Sequence, residues 1–181
     1  MGDDAENISI RPATADDIVI ISVLASTTFY EAYFEQDESS NLAGYINESF
    51  DMATVRDEID DSQSTFFLIF LDGKAVGYAR LIDDSTTPGV VNGRVVELKR
   101  IYILERVWGT RTGEALLTHC IEIARNRGFN AIWLGVWKEN QRAQKFYAKY
   151  GFEQVGTVTF PYGDVDGTNL VLQLRLEKTE V

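Results

Sequence analysis

A chain of 181 residues with a formal charge of -11 and a single cysteine is long enough for one domain with its own core, and its acidic balance argues against a nucleic-acid partner, which needs a basic face. Cys120 alone cannot close an internal disulfide, which fits a reducing cytoplasm. No apolar run reaches the length of a membrane span, and Met1-Gly2-Asp3-Asp4-Ala5-Glu6 is too acidic for a secretory signal, so a cytoplasmic protein without a membrane partner is expected.

Residues 1–6 read as a flexible acidic tail and 7–181 as a single domain. Ile8-Ser9-Ile10 is a short strand ended by Pro12. Thr14-Ala15-Asp16-Asp17 resembles a capping box and opens a helix with Ile18, Ile21, Leu24 and Ala25 on one face. Residues 27–35 are rich in aromatics (Phe29, Tyr30, Tyr33, Phe34), and helical stretches are expected near 38–48 and 52–61. Between Phe66 and Ile82 two apolar runs flank Leu71-Asp72-Gly73-Lys74, and Asp-Gly at that spacing is a tight hairpin turn. A polar loop over 83–93 leads into a strand at 94–104, a helix at 109–127 stopped by Gly128, and a strand at 131–137. Strand, helix and strand at this length make a right-handed parallel crossover. A short helix over Asn140–Tyr150 closes at Gly151, and 152–159 with 169–177 form an antiparallel pair. In its second strand Leu170, Leu172, Leu174 and Leu176 alternate with polar or smaller residues, which predicts one buried face. The elements add up to an α/β (α+β) domain with a mixed, mostly antiparallel sheet.

The junction from Glu97 to Leu117 carries the chemistry. A β-branched strand passes through a short glycine turn into an amphipathic helix. At such a junction several backbone N–H groups lack helical partners, with the positive end of the helix dipole behind them. That is a site for an anion, most often a phosphate. An ordinary helix start is the alternative for Trp108, Gly109, Thr110, Arg111, Thr112, Gly113 and Glu114 taken alone.

Three pieces in order resemble the GNAT superfamily of acetyl-CoA-dependent N-acetyltransferases. They are the strand–turn–helix at 97–117, the strand Ile132-Trp133-Leu134-Gly135-Val136-Trp137, and Asn140-x-x-Ala143-x-x-Phe146-Tyr147-x-x-x-Gly151-Phe152. The stretch Thr28–Tyr33, the strand Trp133-Leu134-Gly135-Val136-Trp137 and the ending Phe160-Pro161-Tyr162-Gly163…Thr168-Asn169-Leu170 look like the bacterial spermidine/spermine N-acetyltransferase branch. The resemblance implies a sheet of six to seven strands with a central parallel pair and flanking helices. It also implies acetyl-CoA as cofactor, its pyrophosphate on 108–114, its amide arm on the strand tail Ile101-Tyr102-Ile103 and on Asn140, and Tyr147 as general acid. The family's phosphate turn runs Gln/Arg-x-x-Gly-x-Gly/Ala. Fitted to end at Gly113, this chain has Trp108 first and Arg111 at the inner glycine; a fit from Arg106 matches Gly109 but ends on Arg111. Glycine lets a backbone approach a pyrophosphate, whereas arginine adds a charge-assisted contact to a phosphate oxygen.

Other residues keep two readings. Asn140 caps its helix, contacts the cofactor arm, or does both. Glu97 is either a base acting through water or a strand carboxylate paired with Lys99 or Arg94. Tyr30, Glu31 and Tyr33 line an acceptor cleft or simply pack. His119 reads as a satisfied helix histidine and Cys120 as a small core residue, which favours direct transfer in a ternary complex over an acyl-enzyme. No Cys/His metal spacing occurs. The resemblance implies acetyl transfer to a primary amine, a polyamine or another small amine first. A protein amino group, a non-catalytic acyl-CoA-binding or regulatory domain, and a homodimer module stay open.

Overall fold

The computed structural model describes residues 7–162 and 165–176. The expected tail at 1–6, Gly163 of the aromatic ending, and residue 177 of the last expected strand lie outside the described residues. Twelve main elements follow the chain in the order β1 (Ile8–Pro12), α1 (Ile18–Tyr33), α2 (Ser39–Ser49), α3 (Met52–Asp60), β2 (Ser64–Leu71), β3 (Lys74–Asp83), β4 (Val95–Ile103), α4 (Thr112–Asn126), β5 (Ala131–Trp137), α5 (Gln141–Ala148), β6 (Glu153–Tyr162) and β7 (Val165–Arg175). The strands form one seven-stranded sheet, ordered β1-β2-β3-β4-β5-β7-β6, mostly antiparallel with β4 and β5 parallel. The chain divides into two compact units, Met1–Leu81 with Arg100–His119 and Ile82–Lys99 with Cys120–Val181.

In the first unit, the predicted capping box forms, with the N–H of Thr14 donating to Asp17 Oδ2 at 2.9 Å. Arg11 adds a bidentate pair to the same carboxylate at 2.7 and 2.8 Å. α1 buries Ile18, Ile21, Leu24, Ala25 and Phe29, yet leaves Val19 and Val23 exposed. Asp51 caps α3 by accepting the N–H of Thr54 at 2.6 Å. The Asp-Gly turn joins β2 to β3 with φ 49 at Asp72 and 76 at Gly73, the two left-handed positions a type I′ hairpin needs. Gly77 of β3 answers to a close approach: a Cβ there would stand 2.4 Å from the carbonyl oxygen of Tyr102 and 2.5 Å from Ile103 Cδ1. Only a residue without a side chain lets β3 lie against the tail of β4.

In the second unit, β4 and β5 pair at Val95↔Ala131, Val96↔Ile132 and Glu97↔Trp133. Each strand continues beyond this three-position contact, β4 to Ile103 and β5 to Trp137. β5 meanwhile pairs with β7 along its whole length, from Ala131↔Arg175 to Trp137↔Asn169. β7 corrects the expectation of one buried face, because Val171 and Gln173 are buried as well as Leu172 and Leu176. The reason is its place inside the sheet between β5 and β6, together with the loop before β4: Val90 and Val91 pack on Val95, Ala131, Trp133 and Val171. Gln173 is accommodated there because its Oε1 accepts the N–H of Val91 at 2.8 Å. Among the described residues no helix is long and apolar enough to cross a membrane.

Candidate functional site

After Ile103 the first unit runs through a 3-10 turn at Glu105–Val107 before α4 begins at Thr112. This turn has no sequence signature of its own. Its first N–H, on Glu105, is accepted by Glu31 Oε2 at 2.9 Å, a partner 74 residues away. Glu31, expected in an acceptor cleft, thus holds backbone. Gly109 follows with φ +85 and open space where a Cβ would stand, so the demand for glycine is conformational.

The N–H groups of Trp108 and Thr110 are taken up within the turn by the carbonyls of Glu105 (2.9 Å) and Val107 (3.3 Å). The hydroxyls of Thr110 and Thr112 lie 2.8 Å apart. The N–H of Ala115, donating to the Arg111 carbonyl at 2.9 Å, is the first to join the helical ladder. Upstream of it, the N–H groups of Gly113 and Glu114 sit in the first turn, where a helix offers no partner. Those of Gly109 and Arg111 find no acceptor among the described residues. The predicted cradle therefore offers a cluster of uncommitted donors at the positive end of α4. Arg111 is exposed beside them, and Glu114 places a carboxylate in the same first turn.

Trp108 opens the turn in the fit that ends at Gly113. Its indole is 40 % exposed, and Nε1–H donates back to the Ile103 carbonyl at 2.9 Å. One of the backbone groups expected to serve the cofactor arm is therefore already engaged. Tyr102 stacks on Tyr78 with ring centroids 6.1 Å apart and is hydrogen-bonded to Tyr33, burial raising the pKa of both phenols. Tyr33 packs on Phe29 at 4.6 Å, and the Tyr30 hydroxyl lies 3.0 Å from that of Ser39. The aromatic segment is thus largely packing.

In the second unit Asn140 takes the cap position of α5, its Oδ1 accepting the N–H of Ala143 at 3.0 Å. Tyr147 on that helix is 8 % exposed, its ring against Phe146 and Phe152 at 5.4 and 5.6 Å. Glu97 is equally withdrawn from water. Its Oε2 accepts the Ser85 hydroxyl at 2.7 Å and its Oε1 accepts Lys99 Nζ at 3.2 Å. The Ser85 carbonyl in turn accepts Trp133 Nε1–H at 2.7 Å. Of the two readings for Glu97, the pairing with Lys99 is therefore present. Cys120 is fully buried and its thiol is pushed up to about 12 by that burial; in the first unit, His119 lies edge-on to Phe67 at 4.8 Å.

Sequence reasoning passed over four residues of the first unit. Glu58 of α3, Arg80 and Tyr78 of β3, and Arg100 of β4 form one cluster in which Arg100 pairs bidentately with Glu58 at 2.6 and 2.9 Å. No local spacing announces it, since its members come from three elements. Only the presence of Arg80 within a strand that otherwise reads as largely apolar hinted at an internal partner.

The sequence pattern of the acetyltransferase (GNAT) family matches residues 26–152. An uncharacterized N-acetyltransferase of Mycobacterium tuberculosis is 34% identical over 145 residues, covering 79% of this chain and 87% of the relative. The spermidine N(1)-acetyltransferase of Thermoplasma acidophilum is 23% identical over 175 residues, covering 94% of this chain and 99% of the relative. The crystal structure of the PaiA N-acetyltransferase of Thermoplasma acidophilum in complex with coenzyme A shares the fold, with a TM-score of 0.76 at 21% identity over 94% of this chain and 99% of that one. Family pattern, relative and fold agree, and this chain belongs to the GNAT family as an acetyl-CoA-dependent N-acetyltransferase.

Proposed function

We propose that the chain moves the acetyl group directly to a primary amine, with residues 108–114 holding the pyrophosphate, the tail Ile101–Ile103 and Asn140 holding the amide arm, and Tyr147 acting as proton donor. The observation that carries this reading is the set of uncommitted N–H groups at Gly109, Arg111, Gly113 and Glu114, donors of the kind a diphosphate needs. The short parallel contact of β4 with β5 supports it too. Past Glu97, β4 runs on through Ile101–Ile103, whose backbone groups are of the kind an amide chain pairs with.

Bound acetyl-CoA supplies an acyl carbon activated as a thioester. Tyr147 holds a proton at Oη. An ordinary phenol titrates near ~10 and a thiol near ~8.5, so the phenol is protonated when a thiolate leaves, and such donation is worth ~10²–10⁴ in rate. Cys120 offers no accessible thiolate to carry the acyl group, which supports a ternary complex. The amine must attack in its neutral form, although an alkyl ammonium resembles lysine at about 10.4. Glu97, held between Ser85 and Lys99, fits a structural strap more directly than a base. A polyamine acceptor has the support of the Thermoplasma acidophilum relative's name and of the -11 charge.

The test is release of free thiol from acetyl-CoA across a panel of diamines, polyamines, amino acids and peptides. Saturable release with one class is the expected result. Binding of acetyl-CoA without release for any amine would favour a regulatory domain that has kept the pocket.

A further inference from the structure

The 3-10 turn at Glu105–Val107 stands between the tail of β4 and the phosphate turn, and it starts without a cap of its own. Leu104 holds the cap position with an apolar side chain that makes no capping bond. The first donors of a helical turn then need an acceptor from elsewhere. It comes from α1, where Glu31 Oε2 accepts the N–H of Glu105 at 2.9 Å across 74 residues of sequence. A carboxylate on an N–H at the positive end of a turn makes a charge-assisted bond.

Short bonds pass this anchor down the chain. The N–H of Val107 donates to the Leu104 carbonyl at 3.1 Å and that of Trp108 to the Glu105 carbonyl at 2.9 Å, which closes the turn. The Val107 carbonyl then accepts the Thr110 hydroxyl at 2.7 Å, and Thr110 Oγ1 lies 2.8 Å from the hydroxyl of Thr112, the buried first residue of α4. The segment before the turn is tied as well. Tyr33, two residues beyond Glu31, is hydrogen-bonded to Tyr102, and the N–H of Leu104 donates to the Val76 carbonyl of β3 at 2.9 Å. Of these ties, the bond from Glu31 is the one that reaches from α1 past the strand into the turn.

Resting on the proposed hold of residues 108–114 on a diphosphate, we infer that Glu31 is the positioning residue of that turn. Its carboxylate fixes where the Glu105–Val107 turn begins. Through Val107 and Thr110 it fixes the direction of the N–H groups at Gly109, Arg111, Gly113 and Glu114. Hydrogen bonds to a phosphate depend on that direction, and donors ordered before the ligand arrives lower the ordering cost of binding. A carboxylate lining an acceptor cleft would act on the amine instead, and its loss would leave coenzyme A binding unchanged.

The experiment is calorimetric titration of the full chain with coenzyme A and with pantetheine, which keeps the amide arm and thiol but lacks the diphosphate. Wild type, Glu31→Gln and Glu31→Ala are run side by side. Glu31→Ala weakens coenzyme A binding by about threefold to tenfold and leaves pantetheine binding unchanged. Glu31→Gln, whose amide oxygen still accepts the N–H of Glu105, stays within about twofold of wild type. Alanine is the stronger helix former, so α1 is kept, and the melting temperature of each variant checks that the fold is too. A lowered melting temperature with coenzyme A affinity intact assigns Glu31 to stability alone and overturns the inference. So does an equal proportional loss for both ligands, or a glutamine variant as weak as the alanine one. A wild type that binds coenzyme A no more tightly than pantetheine counts instead against the diphosphate site. Order in the turn is then read by itself, as amide hydrogen exchange over residues 105–112. Exchange there speeds up in Glu31→Ala and not in Glu31→Gln; equal rates in wild type and Glu31→Ala overturn the positioning role.

Discussion

At the phenol of Tyr147 the proposed chemistry rests on a single oxygen. Tyr147→Phe keeps the ring that packs against Phe146 and Phe152 and removes only the proton donor. We expect kcat to fall by ~10²-fold or more with little change in the dissociation constant for acetyl-CoA. Equal losses in kcat and affinity would assign the ring to binding instead. Arg111 asks the complementary question at the phosphate turn. If its guanidinium answers a phosphate oxygen, Arg111→Gly weakens coenzyme A binding by about tenfold, the scale of one charged hydrogen bond. Tighter binding by the glycine variant would show that the side chain obstructs the turn. Glu97→Gln removes a carboxylate bonded to Ser85 and Lys99. The expected result is a stability loss on the order of 1–3 kcal/mol, seen in the melting temperature, with kcat retained. A fall in kcat at neutral pH that recovers once the amine is deprotonated would identify Glu97 as the base.

Elements are where local chemistry and tertiary context part company. The hairpin of β2 and β3 was legible because Asp72 and Gly73 adopt positive φ, which few other pairs tolerate. The cap before α1 was legible for a similar reason, a short side chain three residues from its partner. Its pH response follows from geometry. Arg11 and the N–H of Thr14 hold Asp17 at about 2, below its ordinary 3.8. A carboxylate depressed on folding contributes stability above the unfolded value, and that contribution is lost as pH falls through about 2. Asp17→Asn should therefore lower the melting temperature near neutral pH, and the difference from wild type should shrink as the pH falls from 3.8 toward 2. A constant difference across that range would mean that the charge of Asp17 is irrelevant. The turn at Glu105–Val107 was not legible, because its anchor is Glu31 from a distant helix. β7 was misread for the same reason. Its alternation of leucines is real, but the cover on its second face comes from Val90 and Val91 far upstream.

Across the whole molecule, the mixed, mostly antiparallel sheet and its parallel pair were legible from one strand–helix–strand crossover and a family likeness. The charge inside the first unit was not, since Glu58 and Arg100 stand 42 residues apart and pattern alone cannot pair them. The overall charge of -11 makes one more demand that the local sites do not. Acetyl-CoA is itself polyanionic, so its approach is opposed over a distance set by the Debye length, about 30 Å at 0.01 M salt and 10 Å at 0.1 M. Added salt should therefore lower KM for acetyl-CoA between those concentrations, the reverse of an oppositely charged pair. The acceptor responds by its own net charge. A diamine is drawn to the acidic surface, and its KM rises with salt, whereas an amino carboxylate carries no net charge and its KM changes little. Titrating salt against each substrate in turn separates surface attraction from recognition. If the diamine is the better acceptor only at low salt, its advantage comes from the field of the protein and not from the site. If that advantage persists at high salt, the acceptor site itself selects cations.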